Sequence, residues 1–188
     1  DGFGDILYQK SNFYEGSPQV GYQSKMGGVS LGMDGRFAGC CYLGALGAYT
    51  TSNVKWVNSQ GEATIDSGYG GVYFSAVGDM FYGNASVIGG WSHYTEHRSI
   101  IYPNVNETAD NEHNGIQMLS HLDTGINLGV GGFTIRPFDS FDYITGTEYA
   151  YTESGAGSYN LNVRKVNGIL IRNELGIQFA GCLCFDSS

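Results

Sequence analysis

Residues 29–37 read Val29-Ser30-Leu31-Gly32-Met33-Asp34-Gly35-Arg36-Phe37, and their alternation decides which backbone this chain forms. Val29, Leu31, Met33 and Phe37 fall on one side of a period of two, with Ser30, Asp34 and Arg36 on the other. Side chains alternate with that period in an extended strand and not in a helix. The pattern returns near the end of the chain, where Ile169, Ile171, Leu175, Ile177 and Phe179 alternate with Arg172, Glu174 and Gln178. Asn173 is the one misfit on that apolar side. Ile116, Met118, Leu122, Ile126 and Leu128 are likewise set against Gln117, His121, Asp123 and Asn127. Each polar side carries ionisable groups that a packed soluble core seldom accepts unpaired, whereas a water-filled lumen accommodates them.

Working outward, the chain divides into eight expected strands: Gly2 to Gln9, Met26 to Phe37, Cys41 to Thr51, Ser67 to Val77, Phe81 to His97, Gly115 to Leu128, Phe133 to Tyr151 and Gly168 to Gly181. The connections are by turns long and short. Ser11 to Ser24, Asn53 to Asp66 and Arg98 to Asn114 read as long polar loops, and Thr152 to Val166 as a strand extension and hairpin above the membrane level. Ala38-Gly39, Gly78-Asp79 and Gly129 to Gly132 read as tight turns. A soluble β-sandwich also has short strands and Gly-rich turns, but strict long-short asymmetry belongs to an up-and-down outer-membrane barrel, with the short turns and the N-terminus on the periplasmic side. Tyr42, Tyr73, Tyr82, Trp91, Tyr143 and Tyr149 fall on or near strand ends, where they serve either as interfacial aromatic girdles or as cross-strand pairs.

Composition agrees with sheet. The 188 residues make one domain, 1–188, with 30 Gly, 14 Tyr, 10 Phe and only 3 Pro. A hydrophobic fraction of 41% is compatible with a membrane barrel, because only one face of each strand meets lipid. The chain has no apolar run of about eighteen residues, so a transmembrane helix is not expected. The net charge of −9, with Glu107, Asp110, Glu112 and Glu153 in the polar connections, makes a poor nucleic-acid binder. No basic and apolar leader opens the sequence at Asp1, so either a signal has been removed or the chain belongs to a longer one.

Cysteine occurs as Cys40-Cys41 and Cys182-x-Cys184, which permit three pairings. Neither has the C-x₂₋₄-C spacing of a zinc site, so structural disulfides or free thiols are expected, with no metal and no cofactor. The chain also lacks a G-x-S-x-G elbow, an H-E-x-x-H helix and a P-loop. His121 and Asp123 share one strand face and could orient a base, but nothing nearby supplies a nucleophile, so no enzyme is expected.

Four strings, in order, carry a more specific message. Gly27-Gly28-Val29-Ser30-Leu31-Gly32-Met33-Asp34-Gly35-Arg36-Phe37 resembles the strand of autotransporter β-domains that reads G-L-S-L-G-x-D-Y-R-F, with Gly35 where the family commonly has Tyr. Ile135-Arg136-Pro137-Phe138-Asp139-Ser140-Phe141-Asp142-Tyr143 is similar to L-x-P-Y-x-x-L-D-Y. Tyr151-Thr152-Glu153-Ser154-Gly155-Ala156-Gly157 is similar to Y-x-E-x-G-A, and Arg172-Asn173-Glu174-Leu175-Gly176 to R-x-E-L-G.

The resemblance implies an all-β, antiparallel, up-and-down transmembrane barrel in the bacterial outer membrane, matched over its first eight strands of twelve. Counterparts of the last four strands and of the family's terminal aromatic residue are missing, which leads to the expectation of a fragment whose open edges would each leave costly unpaired backbone groups in lipid. The implied function is a translocator that delivers and anchors an N-terminal passenger at the cell surface. Its implied partners are outer-membrane lipid, its own passenger domain and the barrel-assembly machinery, with no nucleic acid. The implied lumen-lining set is Asp34, Arg36, Gln117, His121, Asp123, Arg136, Asp142, Arg172 and Glu174. The alternative is a small outer-membrane barrel acting as a surface-binding or adhesion module through its acidic connections.

Overall fold

The alternation becomes a single curled antiparallel sheet in a computed structural model that describes residues 1–13, 21–57, 60–130 and 132–181. The elements are β1 (Gly2–Phe13), β2 (Tyr22–Ala38), β3 (Cys41–Trp56), β4 (Gly61–Val77), β5 (Phe81–Tyr102), β6 (Val105–Ile126), β7 (Leu128–Val130), β8 (Phe133–Glu148), β9 (Tyr151–Thr152), β10 (Asn162–Val163) and β11 (Val166–Gly181). The long strands follow one another across the sheet in the order β1-β2-β3-β4-β5-β6-β8-β11. The eight expected strands correspond to these eight. Three short strands supplement them: β7 pairs with the start of β8, and β9 with β10 in a small separate ladder.

Register fixes two faces, because directly opposed residues of an antiparallel pair share a side. Asp34 faces Gly44, Gly44 faces Tyr73, Tyr73 faces Ser86, Ser86 faces His121, His121 faces Asp142 and Asp142 faces Arg172. That row crosses seven strands on the polar face. The apolar face is bare: Leu31, Met33, Leu175 and Phe179 are 67%, 70%, 82% and 71% exposed, and no second sheet or helix covers them among the described residues. In water such a surface would be a severe aggregation liability, and it is what a strand wall presents to hydrocarbon.

Among the described residues the buried apolar cluster lies elsewhere. Ile100, Ala109 and Ala156, with Val105 against them, pack where the segment after β8 folds onto the far ends of β5 and β6. The sheet itself has no packed interior, so its cohesion comes from the ladder and from side chains that reach along the polar face.

The connections differ from their sequence reading. Arg98 to Asn114 is not a loop. β5 and β6 are each 22 residues long and continue to a two-residue turn at Pro103-Asn104. Asn53 to Asp66 is also mostly strand, since β3 runs to Trp56 and β4 begins at Gly61. Ser11 to Ser24 loses both ends to β1 and β2, with 14–20 outside the described residues. The reason is that polar residues predominate in these stretches and their few apolar ones, such as Val54, Ile100 and Ala109, keep no long run of alternation, while the backbone ladder continues regardless of what the side chains contact. The asymmetry between the two ends of the sheet persists as strand height instead of loop length. β8 stops at Glu148 instead of Tyr151, and β6 stops at Ile126, where the Asn127 N–H turns to the carbonyl of Met80 at 2.6 Å. Cys182 and Cys184 lie outside the described residues.

Three of the girdle candidates take the other face. Tyr42, Tyr73 and Tyr82 stand opposite Arg36, Gly44 and Gly125 on the polar side, whereas Trp91 and Tyr143 fall in register on the apolar side.

Adjacent residues on opposite faces provide a direct check. Ile171→Lys places a charge in the apolar band and is expected to cost about 2–4 kcal/mol in a bilayer, while Arg172→Lys, one residue on, stays well below that. Equilibrium unfolding of the full-length protein in lipid vesicles measures the difference.

Candidate functional site: the polar face and its strap

The polar face is ordered by rings laid across glycines. Gly44 has no side chain to block the Tyr73 ring beside it, and a methyl group there would overlap that ring. Tyr73 therefore lies flat across β3 and donates its hydroxyl to Asp34 on β2 at 2.8 Å. Gly90 does the same for Tyr69, whose hydroxyl accepts from Gln117 Nε2 at 2.9 Å, and Gly125 for Tyr82. Tyr82 donates to Asp123 at 3.3 Å and supports the Arg136 guanidinium 5.2 Å from its ring centroid. Tyr73 and Tyr69 thus bridge strands that are not ladder neighbours through their hydroxyls, and Tyr82 does so through its ring beneath Arg136, which ties the curl of the sheet with side chains.

The nine sequence-predicted residues all share this face, and the structure sorts them into separate groups. His121 and Arg172 converge on Asp142: Nδ1 lies 2.7 Å from Oδ1, and Arg172 Nε donates at 2.8 Å to Oδ2. His121 is therefore paired with Asp142 on the next strand. Asp123, its neighbour two residues on, is held by Tyr82 and by Asn84 Nδ2 at 3.1 Å, and Ser75 donates to Asn84 at 2.7 Å behind it. Arg136 donates to Asn127 Oδ1 at 2.7 Å, Arg36 to the Tyr42 hydroxyl at 3.0 Å, and Glu174 stands opposite Ser140 in the row of Asp123. The result is a polar wall on which most charged groups have a hydrogen-bond partner, with His121 and Arg172 converging on Asp142.

The expected hairpin at Thr152 to Val166 is present as β9 and β10, and what sequence reading missed is that residues 149–165 form a strap tied down to β5 and β6 at the tall end of the sheet. Glu153, 5% exposed, takes two hydrogen bonds from Arg98, Nε to Oε1 at 2.9 Å and Nη2 to Oε2 at 2.5 Å. Arg98 also donates to the Tyr159 carbonyl, and the Leu161 N–H donates to Glu153 at 2.8 Å. Asp110 and Ser154 exchange a pair of backbone bonds at 2.8 Å. Tyr94, His113 and Tyr151 stack in one column, with centroids 4.7 and 4.2 Å apart. Gly155 has φ +99 and its missing side chain would strike the Thr108 carbonyl, so only glycine fits there. Five residues of the string Tyr151-Thr152-Glu153-Ser154-Gly155-Ala156 are thereby explained: Tyr151 as the ring, Glu153 as the ion pair, Ser154 as the bridge, Gly155 as the positive φ and Ala156 as the core. The Glu153 carboxyl is held below the usual carboxylate range, first by the Arg98 hydrogen bonds and against the effect of its burial, and Arg98 is pushed up in turn.

A cavity of about 650 Å³ opens beside this strap, lined by Trp56, Arg98, Ile100, Tyr151, Glu153 and Leu161 among others. Among the described residues no group of three or more metal-ligating side chains exists.

Known proteins place this geometry. The profile of the autotransporter beta-domain matches residues 2–186. The fold is similar to the translocator domain of the autotransporter NalP from Neisseria meningitidis, with TM-score 0.78 and 16% identity over 95% of this chain and 61% of that one. It is similar to the beta domain of the Bordetella autotransporter BrkA, with TM-score 0.66 and 17% identity over 99% and 72%. It is also similar to the transport unit of AIDA-I from Escherichia coli, with TM-score 0.58 and 14% identity over 95% and 72%. The chain thus spans about three fifths of the NalP structure. No curated protein matches it in sequence.

Because the native Glu153 carboxyl is depressed, its contribution to the strap is complete above the usual glutamate range, near about pH 4.3, and is lost only as pH falls through the lowered native value. Glu153→Gln is expected to cost about 2 kcal/mol, less than a fully buried pair because the Arg98 side chain is 36% exposed. Hydrogen-exchange protection of the Asp110 and Ser154 amides should then fall roughly 30-fold at neutral pH. In the wild type it should hold until strongly acid pH.

Proposed function

As the chain belongs to the autotransporter β-domain family, we propose that it is most of the wall of an outer-membrane barrel through which a passenger segment is delivered to, and anchored at, the bacterial cell surface. The single observation that supports this best is the pairing of a bare apolar face with a continuous charged face across every long strand. The first suits hydrocarbon and the second suits a water-filled conduit.

On this reading the short-turn end faces the periplasm, and the tall β5–β6 hairpin with the 149–165 strap stands outside the cell. β1 and β11 each have one strand neighbour among the described residues, and unpaired edges in lipid cost several kcal/mol per backbone group. The wall is therefore completed by further strands that pair with those two edges. Asp34, Arg36, Gln117, His121, Asp123, Arg136, Asp142, Arg172 and Glu174 line the conduit. Their work is to keep it wet and free of unpaired charge, and it needs no bond-making chemistry. Outer-membrane lipid, the passenger and the barrel-assembly machinery are the partners this role requires.

Charge reversal tests the role of the wall. Arg172→Glu, which sets a third negative group beside Asp142 and Glu174, should lower surface display of the passenger several-fold as read by protease shaving of intact cells. Barrel content of the outer membrane, read by immunoblot, should hold. Arg172→Gln should keep most of the display. Full display by both variants would show that the polar face plays no part in passage.

A further inference from the structure

At the short-turn end, Gly39 and Cys40 connect β2 to β3, and Gly39 adopts φ +48. The turn is fixed from the side as well, since Val77 N–H of β4 donates to the Cys40 carbonyl at 3.0 Å. Cys40 is exposed and Cys41 half-buried, both are free thiols, and their sulfurs stand 4.0 Å apart. Two adjacent cysteines are poor partners for each other, because a trans peptide holds their Cα atoms about 3.8 Å apart while disulfides ordinarily need at least roughly 4.4 Å. The pair therefore tends to stay a dithiol aimed from a rigid turn.

A dithiol with that separation has a second chemistry. Two metal–sulfur bonds of about 2.3 Å span roughly 3.8 Å at a tetrahedral angle and about 4.6 Å when collinear. The observed 4.0 Å corresponds to an angle of about 120° with bonds of that length, and rotation of the exposed Cys40 side chain opens it toward the collinear span that a two-coordinate ion prefers. Among the described residues no third His, Cys, Asp or Glu joins the pair. Zinc and other ions that require four donors are thus poorly served, and a soft monovalent ion satisfied by two thiolates is well served. The spacing that excludes a zinc site in the sequence does not bear on such a two-donor site.

We propose that Cys40-Cys41 is a two-coordinate binding site for cuprous ion. On binding, each S–H bond breaks, two Cu–S bonds form and two protons pass to solvent. Copper stays monovalent throughout, so no oxidant or reductant is consumed.

The full-length protein, taken from outer membranes into detergent, reduced and kept free of oxygen, is titrated with Cu(I) against a chromogenic Cu(I) chelator. Expected is one equivalent that vanishes in Cys40→Ser and in Cys41→Ser and survives in the Cys182→Ser/Cys184→Ser double variant. Its affinity should rise about 100-fold per pH unit while both thiols start protonated, because two protons leave. Uptake unchanged in both single variants, loss confined to the Cys182/Cys184 variant, or a slope of about tenfold per unit would each overturn the assignment. So would zinc bound as tightly as copper.

Discussion

In an apolar layer no water is present to satisfy a peptide group, so each N–H and C=O must find its partner in another strand. Everything else in this chain depends on that requirement. It explains why β1 to β6, β8 and β11 form one up-and-down ladder, each strand antiparallel to the next, with tight turns at one end. It also explains why Pro is rare, at 3 of 188 residues, since each Pro in a strand removes one rung. Once the ladder is imposed, the pleat sends alternate side chains to opposite faces, and the chemistry of the two faces follows from that period alone.

The two faces then solve different problems. The outer one needs only bulk and apolarity, which Leu31, Met33, Ile171, Leu175 and Phe179 supply without packing against one another's strands in a core. The inner one must hold charges without stranding any. It does so by placing glycine where a tyrosine has to cross: at Gly44 and Gly90 the hydroxyls reach partners two strands away, and at Gly125 the Tyr82 ring reaches Arg136 two strands on. This gives the many glycines of the sequence a particular use, as gaps that let rings lie down. Asn173, the misfit on the apolar face, also finds a partner there: its Nδ2 donates to Asp139 Oδ1 at 2.8 Å. Neither polar group therefore meets hydrocarbon wholly unpaired.

Much of this was legible in the sequence, and the limits have physical causes. Strands such as 29–37 and 169–179 announce themselves because one side is apolar and the other is not. The upper halves of β5 and β6 do not, because their few apolar residues, Ile100, Val105 and Ala109, are covered locally by the strap and leave no period of two along the polar stretch, and Arg98 to Asn114 therefore reads as a loop. Parity within a strand would have moved Tyr73 and Tyr82 to the polar side, because Tyr73 lies two residues from Ser75 and Tyr82 two from Asn84. The pairing of Arg98 with Glu153 was out of reach, since 55 residues separate them and only the folded strap brings them together. The same holds for His121: its neighbour in sequence is Asp123, but the register gives it Asp142.

The most direct measurement of the account is a spin-label scan along β11 of the full-length protein in lipid vesicles, residue by residue from 169 to 179, reading collision with oxygen and with a water-soluble nickel complex. The account predicts strict alternation, with odd positions reporting lipid and even positions reporting water. Accessibility to the nickel complex on both sides of β11, or the same environment at consecutive positions, would contradict a strand wall between membrane and conduit.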